Sequence, residues 1–206
     1  MTNLRKSKLL FLILMLLPIV QSCAEMKSRI SPKGSVKASA PAKGSSQASI
    51  HASAQAVNLA KEHIEAAEYQ KAIDIFNVEY RKRPHDQALV GKYVKSIENI
   101  NSTANNALDK KDFASAGRKY DVLLKNYAHF KGFDEKLSFN NTHLNERLSY
   151  CKKALLKKGL QAYRKDNLSE AIALWQDLFV IDPQNADVKE LLRTAKLQQK
   201  NLQEKE

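Results

Sequence analysis

Cys23 and Cys151 are the two thiols of this chain, and a nucleophilic sulfur is the first chemistry to consider. Their surroundings differ. Cys23 closes an apolar run near the N-terminus, where it is placed for covalent modification. Cys151 shares a helical stripe with Leu148, Leu155, Gly159 and Ala162, and a Cys packed inward behaves as a small hydrophobe. The five His lie far apart, with no pair at metal-ligand spacing. No G-x-G, H-E-x-x-H, C-x-x-C or G-x-S-x-G occurs, so no local motif writes a phosphate loop, a zinc-hydrolase helix or a nucleophile elbow. Lys152, Lys153, Lys157 and Lys158 fall mostly off the Cys151 stripe and read as a solvated face rather than an anion site. The expectation is a protein with no catalytic residues, no metal and no cofactor, and not an enzyme.

The segment that positions Cys23 has a clear layout. Arg5, Lys6 and Lys8 form a positive start with no acid nearby, and Leu9 to Val20 is unbroken apolar chain with Pro18 inside it. That run would rise about 18 Å as a helix, too short for a hydrocarbon core of about 30 Å. It suits the hydrophobic centre of a secretory signal. The run ends in Val20-Gln21-Ser22-Cys23. This resembles the lipobox of bacterial lipoproteins, with an aliphatic residue three before the Cys and a small residue just before it; Gln21 departs from the usual second slot. The resemblance implies cleavage after residue 22 (a lipoprotein signal peptide over 1–22) and acylation of Cys23. Two or more acyl chains anchor a protein stably to a bilayer. Ala24 follows instead of the Asp associated with inner-membrane retention, so the resemblance implies an outer-membrane anchor facing the periplasm. An ordinary signal cleaved after Ser22 or Ala24 is the alternative, and leaves Cys23 a plain thiol.

The 206 residues allow one medium domain plus appendages. The formal charge of +12 invites a nucleic-acid partner, but a secreted N-terminus excludes that reading. After Cys23 the chain turns to Ser, Ala, Gly, Pro and Lys as far as Ser53. Residues 23–53 are therefore expected to be a lipidated flexible tether, reaching about 25–30 Å. Lys27, Arg29, Lys33, Lys37 and Lys43 along it face only Glu25. They either graze anionic head groups or keep the tether extended.

Residues 54–206 change to helix formers with apolar residues three and four apart. The spacing predicts an all-α body with helices over 54–66, 69–82, 86–110, 113–126, 142–165, 168–181 and 186–203. Three pairs share a register. A small residue at Ala60, Ala104 and Gly159 is followed twelve positions on by Ala72, Ala116 and Ala171, and one turn later by Phe76, Tyr120 and Trp175. Pro84 and Pro183 close the first and third copies. Small side chains let antiparallel helices approach, and the aromatic fills the space towards the next pair. The pattern resembles the tetratricopeptide repeat, which implies three irregular helix–turn–helix pairs plus a C-terminal capping helix. Departures are the missing middle Pro, Glu79 at a usually apolar place, and anchors 44 and 55 residues apart instead of 34.

The resemblance also implies a groove lined by the first helix of each pair and binding a partner protein or peptide. Carried over by register, the groove takes Lys61, Ile64 and Glu65; then Asn101, Asn105, Leu108 and Asp109; then Leu156, Leu160, Tyr163 and Arg164. Leu156 and Leu160 stand where a carboxylate clamp would need cations, so tail-carboxylate binding is not expected. Phe130, Phe133 and Phe139 crowd the long loop at 127–141, either as a satellite packing cluster or as an exposed anchor. The expected function is a membrane-anchored periplasmic scaffold for an unidentified envelope protein, in cell-envelope, pilus or secretion assembly. The alternative is a structural protein whose basic body meets acidic cell-wall glycan or lipid.

Overall fold

The computed structural model describes residues 44–204, with side chains from residue 53. The signal segment 1–22, Cys23 and the tether as far as residue 43 lie outside the described residues. Seven α-helices follow: α1 Gly44–Glu65, α2 Tyr69–Lys82, α3 Gln87–Asp109, α4 Phe113–Asn126, α5 Asn141–Tyr163, α6 Leu168–Ile181 and α7 Ala186–Gln203. Two short 3-10 turns, Tyr127–Phe130 and Asp134–Lys136, interrupt the α4–α5 connection. The described part is all-helical, and none of its helices is long and apolar enough to cross a membrane.

Six helices match their expected spans to within two residues. α1 is the exception, because it begins at Gly44 and not at 54. The expectation placed the boundary where large apolar residues begin, yet Ala and Gln also propagate a helix once a packed turn has nucleated it. Residues 44–53 are thus helix, which corrects the expectation of a tether running to Ser53.

Helix starts are set by Asp and Asn. The carboxylate or amide oxygens of Asp86, Asp112, Asn140, Asn167 and Asn185 accept from the third-turn-position amides of Leu89, Ser115, His143, Glu170 and Val188 at 2.8–3.2 Å. Glu68, before α2, makes no such bond. The turns inside the three helix pairs share one geometry. Ala67, Lys111 and Asp166 all adopt the left-handed conformation, with φ of 58–60°. The amides that follow, on Glu68, Asp112 and Asn167, donate back to the carbonyls of His63, Ala107 and Ala162 at 2.8–3.0 Å. This is the Schellman closure of a helix C-terminus, normally built on glycine.

The helices pack mainly on their neighbours in sequence, with α1 also against α3, α2 against α4 and α4 against α6. All the registered small residues and the three aromatics are buried. The α4–α5 insert adds a second cluster over the first two pairs. Phe130, Phe133 and Phe139 are buried, which favours the packing alternative over an exposed anchor. Tyr93 is the centre of this cluster. Its ring stacks on Phe76 at 5.0 Å and meets Phe130 edge-on at 6.0 Å, with Phe133 at 5.1 Å. Burial raises its phenol above the ordinary range, and its hydroxyl has no partner among the described residues.

Glu79 keeps a carboxylate in a packed position by neutralising it. Lys82 Nζ lies 2.7 Å and Arg83 Nη2 2.9 Å from its two oxygens. The hydrogen bond from Lys82 does most to hold its pKa below the ordinary value, against an opposing effect of burial.

Candidate functional site

α1 and α3 lie side by side with an open groove of about 720 Å³ between them. Lys61, Ile64 and Glu65 form the α1 wall, and Lys92, Lys95, Ser96, Glu98, Asn99 and Ser102 the α3 wall. Ile64 is the apolar floor, half-buried against the core. Lys61, Lys92 and Lys95 are exposed. Among the described residues none of the three is in an ion pair. Glu98 is occupied: its oxygens accept from the backbone amide and the hydroxyl of Ser138, at 2.5 and 2.6 Å. These bonds fasten the α4–α5 insert to the groove's edge. With Lys61, Lys92 and Lys95 against Glu65 and Glu98, the groove presents a charged rim of slight positive excess over an apolar floor.

The structure brings together the three α1 residues of the expected groove and separates the others from it. Asn101 is buried, with its Oδ1 unpartnered among the described residues. Asn105 accepts from the Tyr120 hydroxyl at 2.6 Å, so it serves α4. Leu108 is buried, and Asp109 ends α3. On α5, Leu156 and Leu160 are half-buried against the core. Tyr163 packs on Trp175 at 5.7 Å between ring centres, and its hydroxyl donates to Gln198 Oε1 of α7 at 2.8 Å. Arg164 is the exposed C-cap of α5. Of the expected second and third thirds of the groove, Asn101, Asn105, Leu108 and Tyr163 serve packing, whereas Asp109 and Arg164 are exposed.

The physical reason is angle around the α3 axis. Asn101, Asn105 and Leu108 lie on the side that packs inward and against α4, whereas Lys92, Lys95, Asn99 and Ser102 lie about a third of a turn round, on the side that lines the groove with α1. No local sequence signal selects Lys92, Lys95, Asn99 and Ser102, because the approach of α1 sets which side of α3 lines the groove.

Among the described residues no other arrangement competes as chemistry. Cys151 is fully buried, and burial pushes its thiol up to about 11, so at neutral pH it is a poor nucleophile. Among the described residues no three His, Cys, Asp or Glu side chains gather as a metal site.

No family model, curated protein or solved structure matches this chain.

Proposed function

We propose that this protein is a non-enzymatic scaffold, anchored by lipid at Cys23 in the outer membrane. On this reading a tetratricopeptide-like body, three irregular helix pairs capped by α7, faces the periplasm and holds a partner protein in the α1–α3 groove. Assembly of envelope, pilus or secretion machinery is the proposed setting, by analogy with similar lipoproteins.

The observation that carries the repeat reading is the sameness of the three turns. Left-handed Ala67, Lys111 and Asp166 stand 44 and 55 residues apart, the spacing of the registered Ala72, Ala116 and Ala171. A left-handed Ala or Lys costs about 1–2 kcal/mol, so three chance occurrences at one register are a poor explanation. The groove supports the binding part, since it offers an apolar floor and a polar rim in a concave space.

Crosslinking in bacterial cells, followed by recovery of the full chain, tests the scaffold. Lys61→Glu with Lys95→Glu should remove a partner that the parent chain recovers, while helicity is unchanged. Equal recovery would sink the groove. The anchor is tested apart from it. Cys23→Ser should leave the detergent phase and take no fatty-acid label, and a variant that stays in the detergent phase and keeps the label overturns the lipobox.

A further inference from the structure

At α2, α4 and α7 a cation finds a carboxylate three or four residues away. Lys71 meets Glu68, Lys82 and Arg83 meet Glu79, Lys125 meets Asp121 and Arg193 meets Glu190, at 2.6–2.9 Å. Among the described residues α5, like α3, has no such local pair, but its cations fall in a row. Tyr150, Lys153, Lys157, Gln161 and Arg164, spaced by three, four, four and three, form one ridge, and all five are exposed. Glu146, one turn before Tyr150, is the acid at its beginning. The α5 ion pair found among the described residues, Lys152 to Asp182 at 2.8 Å, lies off this ridge. Lys153 and Lys157 carry like charge one turn apart, which destabilises a helix. The expected solvated face is therefore an uncompensated one.

Aromatic rings border the ridge. Tyr150 is 57% exposed and sits edge-on to Phe113 with ring centres 5.9 Å apart. Lys158 Nζ lies 4.8 Å over the same Phe113 ring. Beside Tyr150 a hollow of about 390 Å³ is lined by Asn145, Glu146, Ser149 and Lys153, so its cation end is at Lys153 and its acid end at Glu146.

We propose that this ridge docks an acidic polypeptide segment lying extended along α5. From Tyr150 to Arg164 the helix rises about 21 Å, which about six residues of extended chain cover. In such a chain alternate side chains recur every 6–7 Å or so, close to the spacing of Lys153 and Lys157. The ridge is a single row of side chains, a shape for one chain and not for a plane of head groups. It also carries no large aliphatic side chain to enter lipid. The surface is separate from the α1–α3 groove, so either can fail alone.

The test is fluorescence anisotropy of labelled hexaglutamate against the full chain in neutral detergent. The parent should bind at low salt and lose affinity as salt rises. Lys153→Glu should weaken binding about tenfold. The same variant should melt no lower than the parent, because a carboxylate one turn before Lys157 relieves the repulsion. Lys189→Glu, on exposed α7, should bind as the parent does. Absent binding by the parent at millimolar peptide, or equal affinity of the Lys153 variant, overturns the proposal. So does binding of phosphatidylglycerol micelles without binding of hexaglutamate, which would give the ridge to lipid.

Discussion

Trp175 stands where a β-carbon on residue 159 would be. The indole Cδ1 lies 2.6 Å from that position and Nε1 nearer still, so Gly159 is the residue that lets the ring in. The equivalent residues of the other two pairs are Ala60 and Ala104, facing the smaller aromatics Phe76 and Tyr120. Size on one helix is thus matched by size on its partner.

Gly159→Ala should therefore destabilise the body by about 1–3 kcal/mol, although Ala is the better helix former. Gly91 provides the control. It sits in α3 with nothing within 4 Å of a built Cβ, so Gly91→Ala should raise stability by up to about 1 kcal/mol. Thermal melts of both variants check the pair, and a melting temperature raised by Gly159→Ala would refute the contact.

Lys111→Gly should stabilise the α3–α4 turn. The backbone there has φ of 60°, which glycine adopts without strain, and the Lys side chain is exposed. A gain of about 1 kcal/mol is expected in chemical denaturation. Asp166→Gly should gain less, because Asp tolerates the left-handed region better than Lys does. A loss of stability in the Lys111 variant would show that its side chain holds something the turn needs.

Glu79 makes stability depend on pH in the acid range. Its folded pKa lies below the ordinary value of 4.5, chiefly through the hydrogen bond from Lys82. The carboxylate's contribution is thus fully present above about pH 4.5 and is lost as pH falls through the lower folded value. Glu79→Gln should be less stable than the parent at neutral pH, with the difference shrinking below pH 4.5 or so. Denaturation midpoints at several pH values would expose a constant difference, the outcome that contradicts this pairing.

Tyr163 should behave as a packing residue. Tyr163→Phe removes the bond to Gln198 and should cost about 0.5–1.5 kcal/mol, while Tyr163→Ala also strips the contact with Trp175 and should cost more. Melting temperatures should fall in that order. Full stability of the alanine variant would return Tyr163 to the groove.

The existence of all seven helices and the extent of six, α1 excepted, were legible in the residues, because a 3.6-residue period, Pro84 and Pro183 are local signals that need no knowledge of the neighbours. The five Asp and Asn caps were equally local, though only their bonds in the structure reveal which oxygens act. The left-handed turns had no sequence signal, since Ala67, Lys111 and Asp166 occupy places where glycine is the usual marker. Tertiary structure alone decided which side of α3 meets α1, and so exchanged Asn101 and Asn105 for Lys95 and Asn99. It also buried Phe130 and Phe133 under Tyr80 and Tyr93, residues some forty to fifty positions away. The reason is one of range. A residue's own helix sets its angle around the axis, but the packing of distant helices sets which neighbour that angle faces.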